Sequence, residues 1–324
     1  MTKRALIVGI AGQDGSYLAE HLLNRGYEVH GTVRRNSTPE HQESRIHHLG
    51  VQVETHYGDL TDQHSLESVI RRCQPDEIYN LGAQSHVRIS FELPQFTTQV
   101  NALGVLNLLT AVRLAAPEAR IYQASSSEMF GDSVDSDQFQ RETTPMTPVS
   151  PYGCAKLFGY HLVRNYRKSY GLFAANGILF NHESPRRGAN FVTSKVVRAA
   201  CEIKLGQRDR LELGNMDSSR DWGHSKDYVR AMVMILNHKT PDDFVVATGQ
   251  THTVRELVSG VFERLELNYL DFTVQNPKYL RPEELPYLKG DATKVRTTLG
   301  WTPEVSFDQL IDEMVDDTMR LLRR

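Results

Sequence analysis

Short apolar runs alternate with amphipathic stretches through the first half of the chain. Ala5–Val8, Glu28–Val33, Val51–His56, Glu77–Asn80 and Arg120–Ala124 read as strands. Helical patterns around Tyr17–Leu23, Ser65–Arg72 and Val100–Ala115 separate them. Such alternation predicts a parallel sheet with right-handed crossovers. The expected fold class is α/β, a Rossmann-type doubly wound parallel sheet. The pattern breaks later: Asn181–Gly188 is rich in His, Pro and Arg, Arg281–Glu284 is irregular, and Gly290–Ala292 is turn-like. Ser306–Leu322 has the pattern of an amphipathic helix with a serine at its start. The expected organisation is a nucleotide-binding domain, 1–180 with about 223–247, and a smaller C-terminal α/β substrate domain, about 181–222 and 248–324.

Among 324 residues, 40% are hydrophobic and 24% charged, the balance of a globular protein with a real core. A formal net charge of -3 gives no general affinity for polyanions, so nucleic acid and membrane surfaces are not expected partners. Phosphate recognition must then come from local arginines. Cys73, Cys154 and Cys201 are widely spaced without a Cys-x-x-Cys, so neither a metal site nor a disulfide framework is expected. A reducing compartment fits them, and Met1-Thr-Lys-Arg runs straight into the first strand pattern without a leader. The expected location is cytoplasmic.

The turn after the first strand is Gly9-x-x-Gly12-x-x-Gly15, within GIAGQDG. Glycines let backbone approach a pyrophosphate, and the following helix presents free N–H groups to it. Gly9, Gly12, Gln13, Asp14 and Gly15 are therefore expected at a dinucleotide. The end of the second strand, Gly31-Thr-Val-Arg34-Arg35, holds no acid before Glu40. Two guanidiniums there suit a 2′-phosphate, so NADP is the expected cofactor. Asp59 and Leu60 are expected at the adenine edge, and Leu81, Ala83 and Ser85 along the cofactor's phosphates and ribose.

Tyr152 and Lys156 are four residues apart, on one face of a helix that Ser150 and Pro151 begin. A neighbouring ammonium and a cationic nicotinamide would favour the tyrosine phenolate. Ser126 would donate to a sugar's carbon-4 oxygen. Glu128 changes the class of reaction, because a carboxylate beside a redox pair can remove a proton from carbon. Tyr152 would take the carbon-4 hydroxyl proton while NADP accepts hydride. Glu128 would take the proton on carbon 5, and the carbon-6 hydroxyl would leave as water. NADPH would return hydride to carbon 6, with Tyr152 protonating carbon 5.

The strings GIAGQDGSYLAE, YNLGAQSHV, QASSSEMFG, SPYGCAKL, GILFNHESPRRG, NFVTSK, RDWG, VATGQTHTVRE, RPEE and LGWTP span almost the whole chain. In them the sequence resembles the GDP-mannose 4,6-dehydratase family of extended short-chain dehydrogenases/reductases. The glycine spacing is also the one typical of that extended group. The resemblance implies GDP-α-D-mannose as substrate, GDP-4-dehydro-6-deoxy-α-D-mannose as product, and a place before GDP-fucose or GDP-rhamnose. It implies catalytic roles for Ser126 (where bacterial members usually carry threonine), Glu128, Tyr152 and Lys156. It places His182 and Arg187 at the nicotinamide, and Phe96 where the family often has a tyrosine near the cofactor. Ser85, Ser126, Glu128, Asn181, Lys195, Arg220, Arg281 and Glu284 would surround the nucleotide-sugar. The family forms dimers and tetramers, so a homo-oligomer is implied, in which the Arg35–Arg45 loop can reach a neighbour's NADP.

Four other readings compete. A nucleotide-sugar 4-epimerase usually uses NAD and has an acid after the second strand. A GDP-4-keto-6-deoxymannose reductase needs no carbon-5 base. A non-catalytic NADP sensor should lack an intact Tyr–Lys pair. A 4,6-dehydratase of a related GDP-sugar, such as a GDP-heptose, would differ only in its sugar pocket.

Overall fold

The computed structural model describes residues 2–35, 45–280 and 282–323. Arg281 and most of the Arg35–Arg45 loop thus lie outside the described residues. A seven-stranded parallel sheet organises the molecule. In chain order it is built from β1 (Arg4–Val8), α1 (Gln13–Leu23), β2 (Glu28–Val33), β3 (Val53–Tyr57), α2 (Gln63–Cys73) and β4 (Glu77–Asn80). Two short helices follow, α3 (Val87–Glu92) and α4 (Pro94–Thr98), then α5 (Gly104–Ala115), β5 (Arg120–Ser126), α6 (Pro151–Tyr170) and β6 (Ala174–Leu179).

The chain then leaves the sheet through β7 (Asn181–Glu183), α7 (Val192–Lys204), β8 (Leu211–Leu213), β9 (Ser219–Arg220) and β10 (Trp222–His224). It returns with α8 (Ser225–Asn237) and β11 (Asp243–Val246), and continues through β12 (His252–Thr253), α9 (Val254–Arg264), β13 (Thr273–Gln275), β14 (Tyr287–Leu288), α10 (Thr293–Leu299) and α11 (Phe307–Leu322). The main sheet runs β11-β6-β5-β4-β1-β2-β3. The order reverses between β1 and β4, where open α/β sheets bind ligands beyond their carboxyl ends.

Apolar residues of α1 and α8 cover one face, with Tyr17, Leu18, Met232 and Val233 buried there. The other face carries α2, α5 and α6, through Leu66, Ile70, Leu108, Val112 and Val163. A third core joins α7, α9 and α11 around Val197, Leu257, Phe262 and Met314. The segment Ala292–Trp301 packs with α8 and β11 rather than with that third core. Trp301 Nε1 donates to Asp227 O at 2.9 Å, and Asp227 Oδ2 accepts the Glu304 and Val305 N–H groups.

Two expected elements shift. The strand expected from Val51 starts at Val53, because Gly50 adopts φ 51°, ψ -130° and Val51 projects into solvent. The helix expected from Val100 opens with a π-helical turn, Gln99–Leu103, before α5. That widened turn delivers Asn101 to the loop after β4, where its amide exchanges two 2.8 Å hydrogen bonds with the Gln84 backbone. The C-terminal helix begins as expected, with Ser306 and Gln309 closing a reciprocal capping box.

Candidate active site

Backbone contact shapes the floor of the site. Gly9 has φ 85°, and a Cβ there would lie 3.0 Å from Gly82 Cα and N in the loop after β4. A Cβ on Gly15 would lie 2.4 Å from Gly9 O and 2.7 Å from Ile10 Cα. Only glycine lets α1 start this close beneath the turn. Gly12 stands at the helix N-cap with no side chain to occupy the free N–H groups. This cradle fits a dinucleotide pyrophosphate. Arg34 and Arg35 are exposed just past β2. Asp59 Oδ1 accepts Thr61 N–H and hydroxyl at 2.8 Å each, and Leu60 is buried against Gly82 and Gly104.

The candidate catalytic residues converge from two elements. β5 ends in Ser126, whose hydroxyl accepts Glu128 N–H at 3.3 Å and caps the short helical turn carrying Glu128. α6 starts at Pro151, with Ser150 Oγ accepting Gly153 N–H at 3.0 Å. Tyr152 N–H donates to the buried Ser90 Oγ at 3.2 Å, which fixes the first turn from below. Gly153 has a role the motif does not announce: a Cβ there would lie 2.7 Å from Glu128 O. The missing side chain lets α6 and the Glu128 turn touch. Ser126 and Tyr152 share a hydrogen bond, and both line one cavity of about 760 Å³ together with Glu128 and Lys156.

The electrostatics depart from expectation. Burial pushes Tyr152 up to about 12, with Glu128 adding to it while the Ser126 hydrogen bond and Arg187 oppose it. Lys156 is tied to the backbone at the end of β5. Its Nζ donates to Ala124 O at 2.9 Å and lies 5.7 Å from the Tyr152 ring centre, and burial lowers the amine to about 8. The tyrosine therefore remains a phenol on the strength of the protein's own groups.

A second cluster joins α1 to β7. His182 Nε2 lies 2.7 Å from Asp14 Oδ2, and His182 Nδ1 lies 2.7 Å from Phe180 O. Gln13 bridges this pair, donating to Asp14 Oδ1 and to His182 O, and accepting from the Ser184 hydroxyl. Burial works against charge on both partners. Their mutual attraction wins, so Asp14 is held below its ordinary value and His182 above its own. Arg187 pairs with Glu183 at 2.9 Å and lies over the Phe191 ring. Arg45 donates to Arg186 O and Ala11 O, so the described end of its loop meets this chain's own glycine turn.

Asp14, Leu81, Ala83, Ser85, His182 and Arg187 line the cavity, and so do the sugar-nucleotide candidates Asn181, Lys195, Arg220 and Glu284. Lys195 Nζ stands 3.5 Å from the Tyr279 ring centre, and buried Arg220 donates to Ser219 O at 2.9 Å. Phe96 is not among the lining residues; it is partly exposed on α4. The lining also contains Arg88 and Arg208, which no motif singled out. Their only sequence signal is charge or polarity in loops and on helices that the fold brings together.

The GDP-mannose 4,6 dehydratase family matches residues 6–314. The human GDP-mannose 4,6 dehydratase is 49% identical, covering 98% of this chain and 92% of that protein. A UDP-glucose 4-epimerase from Thermus thermophilus, solved with NAD, is 27% identical with a TM-score of 0.85, covering 97% of this chain and 98% of its own. RMD from Pseudomonas aeruginosa, solved with NADPH, is 24% identical with a TM-score of 0.82, covering 98% and 100%, and shares the fold. With a match this long, and with the Ser126–Glu128 turn set against Tyr152 and Lys156 in one cavity, the chain belongs to the GDP-mannose 4,6-dehydratase family.

Proposed function

We propose that this protein converts GDP-α-D-mannose to GDP-4-dehydro-6-deoxy-α-D-mannose and water. The observation that carries the reading is the placement of Glu128 beside Ser126 and Tyr152 on one cavity wall, in a chain 49% identical to a GDP-mannose 4,6 dehydratase. A nicotinamide dinucleotide, for which NADP is our choice given exposed Arg34 and Arg35 and no acid at the end of β2, would lie on the Gly9–Gly15 turn and, when bound, would supply a positive ring and a reversible hydride acceptor.

Tyr152 accepts the carbon-4 hydroxyl proton, and Ser126 holds that oxygen in line. Positive charge beside the phenol is needed for this, because burial and Glu128 together raise it. Glu128 takes the proton from carbon 5, acidified by the new ketone, and delivers it to the departing carbon-6 hydroxyl. Tyr152 returns its proton to carbon 5. Lys156, tied to Ala124 O, is suited to hold ribose hydroxyls. Arg220 and Lys195, with Glu284, are our candidates for the pyrophosphate and ribose of the sugar nucleotide.

We divide the chain into a cofactor lobe built on the main sheet and a substrate lobe built on the third core, with 292–301 in the former. Self-association is supported by an apolar groove along α6 lined by Pro148, Leu157, Phe158 and Leu162. Three unpaired cysteines favour a reducing compartment such as the cytoplasm. No described helix is long and apolar enough to cross a membrane.

The test is mass spectrometry of GDP-mannose incubated with protein and NADP. A product lighter by one water, with no net NADPH consumption, is expected. Glu128→Gln should bind NADP normally and lose nearly all dehydration. Full turnover by that variant would remove Glu128 as the carbon-5 base.

A further inference from the structure

The edge of the main sheet away from the cavity gathers a second set of chemistry-bearing side chains. A strand alternates faces with period two, so Glu28 and His30 share a face of β2, and Glu54 and His56 share a face of β3. The parallel register sets His30 beside Glu54 and Thr32 beside His56, which puts all four side chains on one side of the sheet. On that side α2 ends in Cys73.

The ligand atoms converge. His30 Nδ1 lies 3.2 Å from His56 Nε2, and Cys73 Sγ lies 3.3 Å from the same nitrogen. The Glu54 carboxylate reaches within 3.6 Å of His30 Nδ1 and 3.8 Å of His56 Nε2. His30, His56 and Cys73 are all buried, with ligand atoms within 4.8 Å of one another. Bonds of about 2.0–2.3 Å in a tetrahedron put neighbouring ligand atoms about 3.3–3.8 Å apart. The His30–His56, Cys73–His56, Glu54–His30 and Glu54–His56 separations are close to that size.

Two further features point the same way. His30 Nε2, the nitrogen left over, lies 3.0 Å from Glu28 Oε1. A carboxylate on the far nitrogen is the arrangement that orients a metal-bound imidazole. Two neutral imidazoles, one thiolate and one carboxylate carry two negative charges, which cancel a divalent cation held by three buried ligands and one, Glu54, that reaches in from the exposed edge. Of the charged groups around the thiol, Glu54 and Glu28 favour a cation, while Arg72 and Arg4 oppose it.

We propose that His30, His56, Cys73 and Glu54 bind a divalent transition-metal ion of the zinc class, with Glu28 orienting His30. Four protein ligands make this a closed, structural site. The ion clips β2, β3 and the end of α2 together. The first two strands lead directly into Arg34-Arg35 and Asp59-Leu60, so the clip stiffens the part of the sheet assigned to the adenosine half of the cofactor. Burial pushes the Cys73 thiol up to about 12, so the ion displaces a proton on binding.

The test is titration of chelator-stripped full-length protein with Zn²⁺ and, for spectra, Co²⁺. One equivalent should bind, and Co²⁺ should show the strong visible bands of a tetrahedral site plus a sulfur-to-metal charge-transfer band. Metal should also raise the unfolding temperature. Cys73→Ala should abolish the charge-transfer band, and Glu28→Gln should weaken binding about 10–100-fold. Glu54→Gln changes an exposed side chain and should weaken Zn²⁺ binding while the metal-free variant unfolds at the same temperature as the metal-free wild type, which separates lost metal binding from lost folding. The proposal is overturned if the stripped wild-type protein takes up no stoichiometric metal. It is also overturned if Cys73→Ala binds Co²⁺ with the wild-type spectrum.

Discussion

Replacing Lys156 with methionine should make the protein more stable at neutral pH while removing its activity. The amine is 6% exposed, and burial lowers it from 10.5 to about 8, with only Asp14 opposing. A gap of roughly 2.5 units corresponds to about 3 kcal/mol that the buried ammonium costs the folded state at pH 7. Between the folded and unfolded values the unfolded chain binds more protons, so stability rises as pH climbs from about 8 to 10.5, and below that window the full cost is present. Methionine fills similar volume without charge but loses the 2.9 Å hydrogen bond to Ala124 O. That loss is worth about 1.5–3 kcal/mol, the donor being charged at pH 7. The carbonyl is not stranded, since Gln123 Nε2 also donates to it at 3.0 Å. The net expectation is a gain of up to about 2 kcal/mol at pH 7 that fades towards pH 10.5. Denaturant midpoints of both proteins, measured across that range, read it directly. A less stable variant at pH 7, or a difference that ignores pH, would refute the burial argument. Stability gained at the expense of turnover is a common outcome where an active site holds a charge out of water.

Two other substitutions separate cofactor recognition from folding. Gly15→Ala presses a methyl against Gly9 O and Ile10 Cα, backbone atoms that cannot swing aside, and should destabilise by about 1–3 kcal/mol. Gly12→Ala meets only Gly9 O at 3.2 Å, so thermal unfolding should stay near wild type while NADP binding weakens. Equal melting of the two variants would contradict the packing described for this turn. Exchanging Arg34 and Arg35 together for alanine should raise the NADP dissociation constant about 10–100-fold, the worth of charge-assisted hydrogen bonds, and leave NAD nearly unaffected. Calorimetric titration with both cofactors checks this, and an equal loss for NAD would move the 2′-phosphate site elsewhere.

Much of the cofactor-binding half is readable from the chain. The Ala5–Val8 run, the glycine spacing and the helix pattern after it correspond to β1, the turn and α1. Ser150-Pro151 marks the start of α6 because a cap and a fixed φ act locally. The Tyr152–Lys156 spacing puts both side chains on one helix face, and both line the cavity. The starts of β3 and α5 were less legible. Gly50 takes a φ and ψ that hydrophobic periodicity does not register, and the π-turn at Gln99–Leu103 serves a contact with the loop after β4. The affiliation of Ala292–Trp301 with α8 was equally hidden, since an apolar residue records that it is buried but not against what.

What the sequence determined by itself is local: which residues turn, which face of each element is apolar, and which chemical groups sit one helical turn apart. These follow from backbone sterics and side-chain periodicity within a few residues. Tertiary structure alone decided which distant groups meet. Asp14 and His182 become an ion pair because β7 leaves the sheet above the start of α1. Gly153 is required because α6 presses on the Glu128 carbonyl. Tyr152 stays a phenol because burial pushes it up to about 12. His30, His56 and Cys73, without any ligand spacing in the chain, converge because β3 pairs with β2 beneath the end of α2. Each outcome depends on strand order and register, which are set by burying the whole core at once and leave no trace in a local window.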